Sequence, residues 1–272
     1  MSSGGIPPNP LDKPGYRLEF ADEFDSSTLD LSRWLPYYLP QWSSTDRSAA
    51  RYALHDNALV LLIDEDQPPW CPEFDGEVRC SSFQTGVYAG DVGSLSGQHR
   101  FRQTCVVREA QTTRYLYTPM YGFFEARVKA PAFVGNVAAL WMIGLEETPA
   151  ESGEIAIFEL FGEHITPTAS EVRYGVHPWG DANLTDAFYR DTQPFDASQF
   201  HIYAVEWTPR HIDFYVDNQR VRRISQSPAY PMQFMLGIYD LPLENKHLGD
   251  YPRRFTIDYF RAYQPEDGYK GI

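Results

Sequence analysis

Only 3 cysteines occur in 272 residues, so no disulfide framework can organise the fold. At most one internal bridge can form. Cys71 with Cys80 would close a short proline-containing loop, and reduced, buried thiols are an equal reading of the same residues. No apolar run approaches the roughly 18 residues that a membrane-spanning helix needs. The longest runs, at 58–63 and 137–143, have the length of core strands. Basic side chains are scarce, 23 Lys and Arg against 37 Asp and Glu for a formal charge of -14, which repels phosphate backbones and anionic lipid surfaces. Nucleic acid and membrane are therefore poor partners, whereas an uncharged sugar needs no attractive field. The opening MSSGGIPPNP has no basic n-region and no apolar h-region, so an extracellular location is expected only if a signal peptide has been removed.

The common chemical signatures are missing as well. There is no Walker A or GxGxxG loop, and the nearest approach to a GxSxG elbow, at 93–97, has Leu95 where the nucleophile would stand. The seven histidines form no HExxH, and no cysteine pair has zinc spacing, which sets aside a catalytic transition metal.

Aromatic residues are abundant instead: 6 Trp, 18 Tyr and 17 Phe make up 15% of the chain, more rings than a core of this size requires. Some are expected to line a surface that binds something flat. Residues 1–14 carry four prolines among small polar residues and read as a disordered or loosely attached arm. Residues 15–272 read as one domain. Short runs rich in Val, Ile, Phe and Tyr, separated by Gly, Pro, Asn and Asp, predict strands at 17–20, 58–63, 122–130, 137–143, 154–161, 172–177, 200–207, 211–216, 232–238 and 255–263. No segment shows capped helical periodicity. The fold class is all-β, with enough strands for two packed antiparallel sheets. Residues 64–118, with Pro68, Pro69, Pro72 and all the cysteines, read as long loops shaping one face.

The informative segment is Gly153-Glu154-Ile155-Ala156-Ile157-Phe158-Glu159-Leu160-Phe161. In a regular strand, odd spacing puts Glu154 and Glu159 on opposite faces. One β-bulge between them would bring both to the same face, and bulges are frequent beside active sites. Two carboxylates in an aromatic cleft are what glycosidic cleavage needs, one to protonate the leaving oxygen and one to attack or to activate water. Spacing alone also fits a strand with two solvated glutamates at its ends.

This segment resembles the active-site strand of glycoside hydrolase family 16, the laminarinase and lichenase group, whose bulged pattern is Glu-x-Asp-x-x-Glu. Further similarity lies in LEFADEFD at 18–25, NALVL at 57–61, YGFFEARVKAP at 121–131, ALWM at 139–142, HPW at 177–179, the run at 200–221 and IDYFRAYQ at 257–264. The resemblance implies a β-jelly roll sandwich of the concanavalin A-like lectin and glucanase type, with a cleft across its concave sheet. It implies Glu154 as nucleophile and Glu159 as general acid/base, with carboxyls about 5 to 5.5 Å apart as retention requires. Trp141 and Trp179 would stack sugars or wall the cleft, and His177 would sit near Glu159. The family's Asp is Ala156 here, which removes a charge-assisted contact of roughly 1.5 to 3 kcal/mol. The implied activity is endo-hydrolysis of a β-linked polysaccharide, β-1,3-glucan first, by a monomer that needs no catalytic cofactor. Glycan binding with weak or lost turnover, and transglycosylation, are the alternatives. A structural calcium near Glu23 and Asp258 is implied too.

Overall fold

A computed structural model describes residues 5–243 and 251–269. Two antiparallel sheets pack face to face as a β-jelly roll, with strands numbered in chain order. The first sheet runs β14 (Gln219–Ile224), β13 (Ile212–Val216), β12 (His201–Trp207), β7 (Gly122–Lys129), β16 (Arg253–Pro265), β3 (Ala58–Ile63) and β2 (Arg51–His55), with β1 (Tyr16–Asp22) alongside the later half of β16. The second runs β11 (Ala187–Gln193), β10 (Ser170–His177), β9 (Glu154–Phe161), β8 (Asn136–Gly144), β15 (Met232–Asp240) and β4 (Arg79–Gln84). A short ribbon pairs β5 (Gly86–Val87) with β6 (Arg114–Tyr115). Helix is confined to single turns such as Thr45–Ser48 and Pro72–Asp75.

Alternation decides which side chains fill the space between the sheets. Ala138, Leu140 and Met142 of β8 enter the inter-sheet core with Phe124, Ala126 and Val128 of β7 and Phe234, Leu236 and Ile238 of β15. Their neighbours Ala139, Trp141, Ile143 and Met235 point the other way, into a second cluster with Trp42, Trp70, Cys71, Cys80 and Cys105. That second cluster clamps the 64–118 segment onto the outer face of the second sheet. All three cysteines are buried free thiols, and burial pushes the Cys71 thiol up to about 12.

Two expectations change. Within 64–118, expected as loops, β4 is a strand of the second sheet; its serines hide the signal, and Ser81 and Ser82 place their hydroxyls on the carbonyls of Leu62 and Leu236. Residues 5–14, expected as a loose arm, are pinned across the first sheet. Ile6 N–H donates to Phe200 O at 2.8 Å, Asn9 Nδ2 donates to Glu125 at 3.0 Å, and Arg261 Nη1 donates to Asn9 O at 2.8 Å. Lys13 Nζ lies 3.5 Å from the Phe123 ring centroid. Proline-rich composition forbids regular structure here but leaves the carbonyls free to accept.

Removal of residues 1–13 is expected to cost about 2 to 4 kcal/mol, at roughly 0.5 to 1.5 kcal/mol for each lost hydrogen bond, with β-sheet content unchanged. Thermal or urea unfolding with far-UV circular dichroism checks both parts. An unchanged midpoint would show that the arm adds nothing.

Candidate active site

The site is built on β9. Against β8, Leu140 pairs with Phe158 but Trp141 pairs with Ala156, so Ile157 is an extra residue on β9. The β10 ladder skips at the same place, between Arg173 opposite Glu159 and Gly175 opposite Ala156. Ile157 and Phe158 both turn into the inter-sheet core, 3% and 0% exposed. After this bulge the alternation resumes in opposite phase, and Glu154, Ala156 and Glu159 share the outer face.

Both glutamates open into one cavity of about 330 Å³, whose walls include Trp141, His177 and Trp179. All five side chains that the resemblance assigned to the cleft therefore meet in one place. Trp141 forms the floor, nearly buried, with its indole N–H donating to Tyr239 Oη at 3.2 Å. Trp179 is 51% exposed at the rim, and its N–H donates to Glu154 Oε2 at 2.7 Å. His177 stands opposite Glu154 in the strand register rather than beside Glu159 alone. Its Nδ1–H donates to Asp186 Oδ1 at 2.6 Å, and its ring stacks 4.5 Å from Phe188.

Sequence reasoning missed four polar residues of the cavity wall. His99 comes from the 64–118 segment and wedges between Trp141 and Trp179, at 5.1 and 4.9 Å between ring centroids. Tyr38, Asp75 and Tyr239 line the same cavity. A single His, Asp or Tyr carries no pattern, and the notion of a cleft-shaping insertion at 64–118 pointed only toward His99 and Asp75. Residues 244–250, which follow β15, lie outside the described residues.

Burial dominates the electrostatics. Desolvation raises Glu154 to about 7, against the lowering effects of His177 and the Trp179 N–H, and the charge of Glu159 adds to the rise. Glu159 is raised as well, first by burial, and is partly relieved by His177 and Arg173. His99 is held neutral near neutral pH, lowered to about 4 by burial and then by His177. Two carboxyls so placed titrate as a pair.

The expected calcium carboxylates lie elsewhere and are already matched by cations. Glu23 accepts two hydrogen bonds from Arg261, at 2.7 and 2.8 Å, and Asp258 accepts one from Arg127 at 2.8 Å. Among the described residues no three His, Cys, Asp or Glu side chains gather as a metal site would require. The donor set, filled by guanidinium groups, does not fit calcium.

With the geometry in place, comparison with known proteins identifies the class. Residues 98–261 match the glycosyl hydrolases family 16, and the chain belongs to that family. A beta-glucanase of Acetivibrio thermocellus is 32% identical over 149 residues, 53% of this chain and 42% of that protein. Glucan endo-1,3-beta-glucosidase A1 of Niallia circulans is 24% identical over 233 residues, 83% of this chain and 32% of that one. The chain thus spans less than half the length of these curated relatives. Among solved structures, a GlcNAcα1-4Gal releasing endo-β-galactosidase from Clostridium perfringens covers 99% of this chain and 67% of its own, with a TM-score of 0.86 and 34% identity. The laminarinase from Flavobacterium sp. UMI-01 covers 91% and 100%, with a TM-score of 0.63 and 21% identity, a likeness of fold.

Two outcomes test this description. An ordinary Glu carboxyl titrates at 4.5 and the folded Glu154 is raised to about 7, so between these values the folded chain keeps a proton that the unfolded chain releases. Stability is thus lost as pH rises from 4.5 through 7, by about 3 kcal/mol in all. Glu154→Gln is expected to flatten that loss, raising the thermal midpoint at pH 8 relative to the parent and much less at pH 4.5. A calcium chelator, in contrast, is expected to leave the midpoint where it is; a drop of several degrees would restore the metal.

Proposed function

We propose that this chain is a retaining endo-acting hydrolase of a β-linked glycan, with Glu154 as nucleophile and Glu159 as general acid/base. The observation that carries the reading is the bulge at Ile157, which turns two buried glutamates into one aromatic-walled cavity. Glu159 donates its proton to the leaving oxygen while Glu154 attacks the anomeric carbon and forms a glycosyl ester. Glu159, now a base, takes a proton from water as that water displaces Glu154 from the same carbon. Burial suits Glu159 to hold the proton it must give. It also taxes Glu154, which must be ionised, and the Trp179 N–H and His177 offset that tax.

The names of the A. thermocellus and N. circulans relatives support a β-glucan, β-1,3-linked in the second case. A galactose-containing glycan is the second reading, and it draws support from the endo-β-galactosidase likeness, which is higher in identity and extends over nearly the whole chain. On coverage and identity together the galactoside is favoured. A buried methyl at Ala156 lies between the two glutamates on the same face, so Glu154 gains no polar contact from within its own strand there. Turnover is reduced on this account, by about one to two decades, rather than abolished.

Laminarin, lichenan and a glycan with internal β-galactosides, assayed for new reducing ends, test the activity and separate the substrates. Glu154→Gln and Glu159→Gln are each expected to lower turnover by at least about a hundredfold. Ala156→Asp should keep or raise it. The free-enzyme kcat/KM is expected to fall below about pH 7 as Glu154 takes up its proton. Nuclear magnetic resonance of the first-formed anomer reads retention. Binding to these glycans in affinity gels without new reducing ends would leave a glycan-binding protein, and full turnover in both glutamine variants would refute the assigned roles.

A further inference from the structure

We propose that Trp179 is the positioning residue of the nucleophile: its indole N–H fixes the carboxylate of Glu154, and the loops around it exist to hold that indole in place. The inference rests on the hydrolase reading above for its kinetic consequences, but the geometry stands by itself. Among the described residues, the hydrogen-bond donor shown for Glu154 is Trp179 Nε1, at 2.7 Å from Oε2. Two residues along β9, on the same face, Ala156 can offer only a methyl group. A buried carboxylate with a single protein donor depends on that donor for its orientation and for the stability of its charge.

The indole itself is over-determined. Trp179 sits in left-handed backbone, φ 46°, a region that a bulky residue avoids unless its surroundings impose it. The next residue supplies one restraint, since Gly180 N–H donates to the buried Ser152 hydroxyl at 2.8 Å. His99 supplies another, meeting the indole edge to face at 4.9 Å and 87°. His99 is also left-handed, φ 50°, and its backbone N–H donates to Glu146, which is left-handed in turn at φ 61°. Three left-handed non-glycine residues from separate segments thus form one chain of contacts, Glu146 to His99 and His99 to the Trp179 indole. Backbone outliers gather where function over-rides local preference. A tryptophan serving only as a sugar platform would need its face presented, but not its N–H aimed at the nucleophile.

Trp179→Phe tests the proposal, because it keeps an aromatic face and removes the donor. The site is half exposed, so folding is not at stake. On the substrate that the parent enzyme turns over, kcat is expected to fall about 10- to 100-fold with KM changed less than about threefold, the loss expected for a charge-assisted bond that acts on the chemical step. The acid limb of kcat/KM should move up by about one pH unit, because the Glu154 anion loses a stabilising partner. The other titratable groups facing Glu154 are Glu159 on its own strand, His177 on β10 with Asp186 behind it, His99 and Asp75 from the 64–118 segment, Tyr38, and Tyr239 on β15. None of these changes in the variant. A raised KM with kcat and the acid limb unmoved would overturn the proposal and leave Trp179 a platform.

A second readout needs no turnover. Tryptophan fluorescence of the parent protein, followed against pH, is expected to show a transition as Glu154 titrates, absent from both Trp179→Phe and Glu154→Gln. Persistence of that transition in Trp179→Phe overturns the contact even if no glycan is cleaved. Loss of turnover on every glycan, with the transition intact in the parent and absent from both variants, would instead sink the hydrolase reading alone.

Discussion

One unpaired residue governs the working face of this molecule. Ile157 has no partner on β8 or β10, and because side chains alternate along a strand, its insertion reverses the facing of everything that follows it on β9. Without it Glu159 would enter the inter-sheet core, where an ionisable side chain has no partner, and Phe158 would leave that core. With it, two neighbouring hydrophobic residues, Ile157 and Phe158, both fill the space between the sheets, and the carboxylates come to one surface. The packing gain and the functional geometry arise from the same irregularity. This explains why a local departure from ladder pairing survives in the middle of a sheet rather than at its edge.

The remainder of the site is arranged to make that face dry. Trp42, Trp70 and the thiols of the 64–118 segment pack on the outer side of the second sheet and deepen what would otherwise be an open surface. Burial raises both carboxyls, and for the proposed roles it is uneven in consequence: it favours a proton on Glu159, the proposed acid, and opposes charge on Glu154, the proposed nucleophile. The local contacts of Glu154 oppose that second effect. A site of this kind works within a narrow balance between exclusion of water and retention of charge.

Much of the fold was legible because the strands carrying it are apolar on at least one face. The ten expected strands are present, and the bounds of Ala58–Ile63 and Glu154–Phe161 coincide with the expectation. Of the strands that escaped notice, Arg51–His55, Ala187–Gln193 and Gln219–Ile224 lie at sheet edges, Gly86–Val87 and Arg114–Tyr115 are only two residues long, and Arg79–Gln84 uses serines where a strand is usually branched. At the site, the spacing of Glu154 and Glu159 argued against a shared face until a bulge was supposed, and the resemblance supplied the reason to suppose one. His99 could not be read, because its importance lies in a contact between loops far apart in sequence. Glu23 and Asp258 went the other way: acids on the expected elements pair with arginines that sequence gave no reason to place beside them.

The three free cysteines have a consequence for where such a cleft can operate. They act as small apolar fillers between the 64–118 segment and the sheet, and no covalent crosslink holds that segment down. Its docking rests on hydrophobic area and on hydrogen bonds such as Gln98 Nε2 to Gly144 O and Trp42 Nε1 to Gln98 O, none of which responds to glutathione or oxygen. The mouth of the cleft should keep one contour on either side of a cell envelope, and a reductant added during purification should not loosen it.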